Sequence, residues 1–372
     1  MTFVDPSYGN RSLGDVLPAV SRALGVDAGL PEVGLELPPA GKYVVFLVDG
    51  LGYELLRDHP DDAPYLHSLL KEAPDPGTAG VPSTTATSLT SLGTALPPGS
   101  HGVVGFTSRI PGTDELLNAL AWSKNVDPCA WQPHPTAMAR LAAAGVHTTV
   151  VNKREFAGSG LTVAGQRGAE FVGADKVGER MAAVLAASGR RPSLTYMYDG
   201  DLDWTGHRHG VASLHWRLQL SMVDVATEQL RETLPPDVRL LVVADHGMVD
   251  SPTSNRVDVD ELPLLLEGVA LVGGEARFRQ LYCRAGAVDD VVAAWQESVG
   301  DRAEVLRREE ALARGWFGDV EPQVRPRLGD VLVACRGDFS VMSSQAFPYE
   351  ASLVGLHGSL TPAEMLVPLL LL

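Results

Sequence analysis

The chain has 372 residues, which is enough for one large α/β domain with an insertion or for two ordinary domains. Hydrophobic residues make up 45% and charged residues 20%, which is typical of a globular protein with a large core and excludes a disordered chain. The formal charge of −16 argues against a nucleic-acid polymer as partner, because a groove for a phosphate backbone needs clustered Lys and Arg.

The cysteines and the two chain ends bear on the cellular compartment. Cys129, Cys283 and Cys335 are scattered and form neither a disulfide framework nor a CxxC metal site, which indicates a reducing compartment. The first twenty residues lack the basic stretch and apolar run of a signal peptide. The apolar stretch at 366–372 is too short to span a bilayer. We therefore expect a cytoplasmic monomer or homodimer with no membrane contact.

Short apolar runs that end in small or acidic residues define the first predicted elements. They lie at 43–50, 147–152, 193–201 and 239–247. Runs of this length that alternate with helical segments, such as 212–233, predict buried parallel strands joined by crossover helices. In such sheets functional groups collect beyond the carboxyl ends of the strands. The predicted fold class is therefore α/β, with a mostly parallel central sheet flanked by helices.

The pattern changes in the last third of the chain. Strand-like segments alternate with helix-like ones at 277–284, 288–300, 303–308 and 309–318, and strand character returns at 329–337. This predicts a small α+β cap inserted at 252–325, so that residues 1–251 and 326–372 form the catalytic core. On the first cap strand, Arg277 and Arg279 are candidate phosphate contacts, and a solvated strand face is the alternative.

Acidic and imidazole side chains occur in spacings that suit metal ligation. Asp203 and His207, in DWTGHRHG, are four residues apart and lie on one side of a helical turn, so both can bind one ion. A surface polar pair is the alternative interpretation. Asp245 and His246 follow a predicted strand, and Gly247 permits the turn that would bring both to one ion.

Two further candidates are single residues. Asp49 ends the strand-like FLVDG, where a lone acidic residue is usually a turn or helix cap. His357 lies in GLHGSL near the carboxyl terminus, where a lone histidine is more often structural than a ligand. Neither residue indicates a metal site by itself.

A hydroxyl-rich turn leads into a predicted helix within VPSTTATSLTSLGTALPPGSHG at 81–102. Hydroxyls at a helix N-terminus often serve only as caps. The free N–H groups and the positive dipole end can also stabilise a phosphate or an attacking alkoxide. Threonine is a poor nucleophile unless a metal activates it. From the residues alone, Thr84, Thr85 and Thr87 are all candidates.

The order of these motifs resembles the nucleotide pyrophosphatase/phosphodiesterase family of the alkaline phosphatase superfamily. The shared series is a strand-end DG, PSTTATS followed by SHG, then D-x-x-G-H, then DHG and a late HG, from Asp49 to His357. The resemblance implies an alkaline-phosphatase-like sandwich and two divalent cations, Zn²⁺ or Mn²⁺. It implies that one cation is held by Asp203, His207 and His357. It implies that the other is held by Asp49, Thr85, Asp245 and His246.

The resemblance also implies the chemistry and the substrate. Counted from Pro82, the nucleophile is Thr85, which would form a phosphothreonine intermediate. Where the family often has an asparagine that holds a phosphoryl oxygen, this chain has Ser88, and a backbone N–H is the alternative donor. The chain is similar to bacterial cyclic-di-AMP phosphodiesterases of the superfamily, so we predict cyclic di-AMP or a related dinucleotide as substrate. Candidates for stacking on a base, or for core packing instead, are Phe106, Phe156 and Trp204.

Three other functions are weighed against this one. A phosphonoacetate-hydrolase-like C–P hydrolase would favour a lysine-rich pocket, and no compact Lys cluster follows the nucleophile turn. A phosphomonoesterase of the superfamily would more often use serine than threonine. A non-catalytic nucleotide-binding protein would have lost ligands that are all present here.

Overall fold

The computed structural model describes residues 2–372 and contains α-helices, strands and short 3₁₀ turns. The strands are β1 (Lys42–Val48), β2 (Gly77–Thr78), β3 (Thr107–Arg109), β4 (Leu116–Asn118), β5 (His147–Asn152), β6 (Glu170–Gly173), β7 (Ser193–Asp199), β8 (Arg239–Val243), β9 (Val249–Asp250), β10 (Arg256–Asp258), β11 (Val269–Glu275), β12 (Phe278–Cys283), β13 (Ala303–Arg307), β14 (Val331–Cys335), β15 (Ser340–Met342), β16 (Gly355–Leu356), β17 (Leu366–Val367) and β18 (Leu369–Leu371).

The α-helices are α1 (Val16–Ala23), α2 (Tyr53–Asp58), α3 (Pro64–Glu72), α4 (Thr85–Thr94), α5 (Pro98–His101), α6 (Pro128–Trp131), α7 (Ala137–Ala143), α8 (Gly160–Gln166), α9 (Val177–Ala187), α10 (Asp201–His209), α11 (Leu214–Thr233), α12 (Pro263–Leu266), α13 (Val288–Val299), α14 (Arg308–Ala313) and α15 (Pro362–Met365). The 3₁₀ turns are Leu13–Asp15, Arg154–Phe156, Thr253–Asn255, Val259–Glu261, Gly300–Arg302, Arg325–Arg327 and Glu350–Ser352.

The central sheet has six strands in the order β18-β8-β1-β7-β5-β6. Strands β8, β1, β7, β5 and β6 run parallel, and β18 pairs with β8 in the antiparallel direction. The four apolar runs of the sequence are β1, β5, β7 and β8, so the predicted parallel sheet is confirmed. Because β1 lies between β7 and β8, the carboxyl ends of these three strands are neighbours.

Strand β1 shows why the sheet has helices on both faces. Its side chains alternate between two apolar clusters, because successive strand residues point to opposite faces. Val44, Phe46 and Val48 belong to one cluster, which includes residues of α11. Tyr43, Val45 and Leu47 belong to the other, which includes residues of α1 and α7. A strand buried on both faces needs the continuous apolar run that the sequence has here.

A second, antiparallel sheet has the order β11-β12-β14-β13. Helix α13 packs on it through Trp295, which is fully buried in a separate apolar cluster. The strand character predicted at 329–337 is β14, which lies between β12 and β13 rather than in the central sheet. The sheet of the insertion therefore continues beyond residue 325. The sequence of β14 predicts a strand, but the sheet that this strand joins depends on other strands that are far away along the chain.

Two arginines of β12 form buried ion pairs. Arg277 and Glu364 are both fully buried, with Nη2 of the arginine 2.6 Å from Oε2 of the glutamate. Arg279 pairs in the same way with the buried carboxylate of Glu350. Neither arginine lies on a solvated face or contacts the cavity described below, so both alternatives from the sequence are wrong. A guanidinium is tolerated inside a protein when a carboxylate and further acceptors surround it, and the strand pattern does not reveal such distant partners.

The α-helices within residues 2–372 include none that is both long enough and apolar enough to cross a bilayer.

Candidate active site

The predicted ligands gather at the carboxyl ends of β1, β7 and β8. Asp49 directly follows β1, and its backbone N–H donates to the carbonyl oxygen of Asp199 at the end of β7 over 2.9 Å. Asp245 and His246 follow β8, two and three residues beyond its last residue, Val243. Helix α10 begins two residues after β7 and carries Asp203. The sheet order thus brings together acidic residues that are far apart in sequence.

Asp49, Asp245 and His246 form one group, with a donor atom of each within 4.8 Å of the others. Nε2 of His246 lies 3.4 Å from Oδ1 of Asp49 and 3.5 Å from Oδ2 of Asp245. Nδ1 of His246 is 3.0 Å from the carbonyl oxygen of Gly247. That carbonyl can only accept, so Nδ1 carries a proton and Nε2 faces the carboxylates.

The electrostatics of this buried group favour a cation. Burial, with the charges of Asp245 and Asp203, raises the pKa of Asp49 well above its ordinary value. Burial also raises the pKa of Asp245. Oδ1 of Asp49 and Oδ2 of Asp245 are buried and have no hydrogen-bond partner within residues 2–372. Buried acceptors of this kind are normally satisfied, and a bound cation would satisfy both.

Asp203, His207 and His357 form a second group, again with one donor atom of each within 4.8 Å. Nε2 of His207 is 3.4 Å from Oδ2 of Asp203 and 3.2 Å from Nε2 of His357. The two Nδ1 atoms are occupied by backbone carbonyls, of Gly355 at 2.8 Å for His207 and of Ser83 at 2.9 Å for His357. Both Nε2 atoms therefore face one point.

The second group is also arranged for a cation. Burial and the neighbouring His246 and His207 keep the pKa of His357 well below its ordinary value, so the ring is neutral and can ligate. Oδ1 of Asp203 is buried and has no hydrogen-bond partner among the described residues. Backbone carbonyls that fix the orientation of ligating histidines are a usual feature of metal sites. Together the two groups supply three carboxylates and three imidazoles, a donor set that suits Zn²⁺ or Mn²⁺.

Thr85 is the first residue of helix α4, with Thr84 as the N-cap. Its Oγ1 lies 3.1 Å from Nε2 of His246. Within residues 2–372 no side-chain hydrogen bond joins Thr84 or Thr87 to either ligand group, so Thr85 is the threonine placed beside them. As at the start of any α-helix, the first N–H groups of α4 lack intrahelical acceptors and can bind an anion.

A cavity of about 670 Å³ opens beside these residues. Its wall comes from the turn that leads into α4, from the 106–120 segment, from α10 and from the 349–357 segment. The residues at its wall are Thr84, Thr85, Phe106, Asn118, Leu120, Asp203, Trp204, His207, Arg208, His209, Glu275, Ala276, Tyr349, Glu350, Ser352, Leu353, Leu356 and His357. The mixture of aromatic and polar groups suits a ligand with a flat apolar part.

A second cavity, of about 580 Å³, is also lined by residues of α10. It shares Asp203, Trp204 and His207 with the first and is otherwise lined by residues that include Lys153, Phe156, Tyr198 and Gln219. Asp203 and His207 of the second group thus line both cavities, whereas His357 lines only the first of them.

The three aromatic candidates occupy different places. Phe106 lines the first cavity, with its ring 6.0 Å from that of Tyr349 in an edge-to-face contact. Phe156 lines the second cavity and makes an edge-to-face contact with Tyr198 at 6.2 Å. Trp204 lines both cavities and is 59% exposed. None of the three is a fully buried core side chain.

Ser88 is placed less favourably than the other candidates. It lies one turn into α4, is fully buried, and does not form part of either cavity wall. Its N–H donates to the carbonyl oxygen of Thr84 over 2.9 Å. The Ser88 hydroxyl oxygen is buried and has no hydrogen-bond partner among residues 2–372.

Two residues of the site are not indicated by the sequence. The hydroxyl of Tyr198 donates to Oδ2 of Asp49 and so orients that carboxylate. It lies inside the apolar run of β7, where an alternating pattern gives no reason to separate it from core residues. Asn118 lines the first cavity, and its Oδ1 accepts from the N–H groups of Leu120 and Ala121, at 3.0 Å each. Only the folding of the 106–120 segment against α4 brings it there.

Comparison with known proteins shows the family to which the chain belongs. The sequence profile of the type I phosphodiesterase/nucleotide pyrophosphatase family matches residues 43–360. The chain therefore belongs to this family and is a hydrolase of phosphodiester or pyrophosphate bonds, a class that typically depends on divalent metals. Among curated proteins, none matches the sequence significantly.

Solved structures show the same fold at low sequence identity. Murine ectonucleotide pyrophosphatase/phosphodiesterase 5, as an inactive variant in complex with AMP, superposes with a TM-score of 0.68 at 17% identity, covering 89% of this chain and 87% of that one. The human protein of the same name gives a TM-score of 0.66 with the same identity and coverage. The predicted alkaline-phosphatase-like α/β class is thereby confirmed.

Proposed function

We propose that the protein is a two-metal phosphodiesterase that hydrolyses a small dinucleotide such as cyclic di-AMP, with Thr85 as the nucleophile. The observation that carries the proposal is the placement of Thr85 Oγ1 3.1 Å from His246, at a helix N-terminus beside two ligand groups. A hydroxyl beside two cation sites at the positive end of a helix suits attack on a phosphate.

The residues that would hold the cations follow from the two groups. Asp49, Asp245 and His246, with the Thr85 hydroxyl, would hold one, and Asp203, His207 and His357 would hold the other. When bound, the cations supply the positive charge that lowers the pKa of the threonine hydroxyl and offsets the charge of the phosphate. The equal number of carboxylate and imidazole ligands makes Zn²⁺ and Mn²⁺ the expected ions.

The chain's own residues would carry the two displacements at phosphorus. In the first, Thr85 Oγ1 gives up its proton and forms a bond to phosphorus, the bond to the ester oxygen of the leaving nucleotide breaks, that oxygen takes up a proton, and phosphothreonine results. In the second, water attacks phosphorus, the bond to Oγ1 breaks, and one proton of the water goes to Oγ1, which restores the Thr85 hydroxyl. The free N–H groups at the start of α4 would hold a phosphoryl oxygen. Because Ser88 is buried behind the helix surface, we assign this contact to the backbone rather than to its hydroxyl.

The nucleotide substrate is supported by shape and by likeness. Two cavities that share Asp203, Trp204 and His207 suit a diester with two bulky substituents, and aromatic rings in both walls suit nucleobases. The murine protein is described in complex with AMP, and AMP is the nucleotide unit that occurs twice in cyclic di-AMP.

Hydrolysis by metal-stripped protein, re-supplied with Mn²⁺ or Zn²⁺, tests the proposal. Substrates are cyclic di-AMP, linear pApA, bis-p-nitrophenyl phosphate, p-nitrophenyl phosphate and phosphonoacetate, with Thr85→Ala as control. We expect metal-dependent cleavage of the diesters that Thr85→Ala abolishes. Exclusive cleavage of the monoester or of phosphonoacetate would overturn the substrate class. Diester cleavage retained by Thr85→Ala would overturn the nucleophile.

A further inference from the structure

Helix α10 carries two adjacent pairs of side chains with the same spacing. Asp203 and His207 are four residues apart and belong to the second ligand group. Trp204 and Arg208 are also four residues apart, and each follows a member of the first pair. Since residues four apart lie one above the other on a helix, the second pair forms its own stripe, rotated by about 100° from the ligand stripe. All four side chains line the first cavity.

The tryptophan of this stripe is unusually exposed. Trp204 is a large aromatic residue that is 59% exposed, and it stands in the wall of both cavities. The guanidinium carbon of Arg208 lies 5.5 Å from the centre of its indole ring. This cation–π contact holds the two side chains together at the cavity mouth without covering the rest of the indole face.

Arg208 also has no ionic partner. Within residues 2–372 no carboxylate lies within ion-pair distance of its guanidinium, and no protein acceptor hydrogen-bonds it. Other cations near the cavities are occupied: Lys153 lies 2.7 Å from Asp201, and Arg279 is paired with Glu350. The guanidinium of Arg208 therefore keeps all of its donors available for an anion, and its planar fork suits a phosphate.

We propose that Trp204 and Arg208 form a subsite for the second nucleotide of the substrate, in which Arg208 binds the phosphate that is not cleaved and Trp204 stacks on the attached base. The subsite rests on the proposed function, because it needs a diester cleaved at the neighbouring ligand groups. It specifies the substrate class further, since a dinucleotide with two phosphates engages both residues and a diester with one phosphate leaves Arg208 without its anion.

The test uses two dinucleotides that differ by one phosphate. Linear pApA carries a 5′-phosphate in addition to the cleaved linkage, whereas ApA carries the linkage alone. The metal-loaded full chain is compared with Arg208→Gln, Trp204→Ala and Arg284→Gln. Arg284 is a matched control, because it is an exposed arginine at the end of β12 outside both cavities. The measured quantity is the ratio of kcat/KM for pApA to kcat/KM for ApA.

We expect Arg208→Gln to lower this ratio by at least about tenfold, as for loss of a hydrogen bond to a charged group. Arg284→Gln should leave it at the wild-type value. Trp204→Ala should lower kcat/KM for both dinucleotides relative to bis-p-nitrophenyl phosphate, which has no base to stack. An unchanged ratio in Arg208→Gln, in protein with a wild-type melting temperature and active on ApA, overturns the subsite. Failure of the wild type to cleave any diester overturns the proposed function instead.

Discussion

The two ligand groups use the same kinds of side chain in different surroundings. Asp49, Asp245 and His246 are all buried, whereas Asp203, His207 and His357 are partly exposed to the cavity. The buried group lies where strands of the central sheet end, and its carboxylates are not hydrated by bulk water. The partly exposed group is built on α10 and on the loop after β16, next to the substrate space. The difference suggests that the buried group depends on its cation for both stability and activity, and that the exposed group exchanges its cation with solvent.

The largest expected effect is on turnover, and it distinguishes the buried group from the partly exposed group. Asp245→Asn should lower kcat by about 10³-fold or more, because removing a buried ligand charge removes several kcal/mol of stabilisation of the attacking oxygen. Asp203→Asn should also impair activity, but raising the metal concentration should restore much of it, since this group is open to solvent. Turnover and bound metal per chain are measured as Mn²⁺ or Zn²⁺ is titrated. Equal rescue of both variants would contradict the comparison.

Glu364 connects the segments that carry the two ligand groups, and its substitution breaks this connection. The Glu364 carboxylate accepts hydrogen bonds from the Arg277 guanidinium and from the N–H of Ser359, which is two residues beyond His357. The Glu364 backbone carbonyl accepts a hydrogen bond from the N–H of Gly247. Glu364→Ala leaves Arg277 buried without a partner, so we expect a loss of about 3–5 kcal/mol in the free energy of unfolding. Urea denaturation measures it. Glu309→Ala, which removes an exposed partner of Arg325, is the control and should change stability by no more than about 1 kcal/mol.

Metal removal tests how far the buried group depends on a cation. In the metal-free protein the pKa values of Asp49 and Asp245 are raised, so the folded state keeps protons that the unfolded state releases. Stability of the metal-free protein therefore falls as pH rises through the raised pKa values. A cation offsets this loss and, at a hundred times its Kd, adds about 2.7 kcal/mol.

The difference in Tm between metal-loaded and metal-free protein should consequently widen as the pH rises from the ordinary carboxylate pKa, about 3.9, toward the raised pKa values of Asp49 and Asp245. The lowered pKa of His357 acts in the opposite direction, because it destabilises the metal-free folded protein as the pH falls below the ordinary pKa of histidine. Thermal unfolding at several pH values, with and without chelator, provides the measurement. If the difference in Tm shrinks as the pH rises, the carboxylates of Asp49 and Asp245 do not govern it.

The smallest effect concerns the orientation of one ligand. Tyr198→Phe removes the hydroxyl that donates to Asp49, and loss of such a supporting hydrogen bond typically weakens metal binding by about tenfold or more. Affinity is measured by competition with a chelator. Tyr282→Phe, which loses a buried hydrogen bond to the carbonyl of Arg327, is a matched control. Equal metal affinity in both variants would remove Tyr198 from the site.

Local sequence patterns predicted the part of the fold that positions the site. The apolar run before Asp49 needs burial on both faces, and only a parallel sheet with helices on each side provides it. The spacing of Asp203 and His207 anticipated their shared face on α10. The structure then brings all six carboxylate and imidazole candidates into two groups, with Thr85 beside one of them.

What escaped prediction depends on contacts between distant parts of the chain. The position of β14 in the second sheet follows from its pairing with β12 and β13, which its own residues do not encode. The burial of Arg277 and Arg279 depends on glutamates more than seventy residues away. Tyr198 looks like any other aromatic strand residue until the end of β1 is placed beside it.

The buried ion pairs of β12 also bear on how the enzyme admits its substrate. Arg277 and Arg279 join the inserted sheet to the segments that carry His357 and line the first cavity. A movement that separated this sheet from those segments would leave charges unpaired inside the protein and would cost several kcal/mol for each ion. We therefore expect the second sheet to act as a fixed wall rather than as a hinged lid, with substrates selected by the fixed dimensions of the entrance. Product would then leave by diffusion, without waiting for a domain to open.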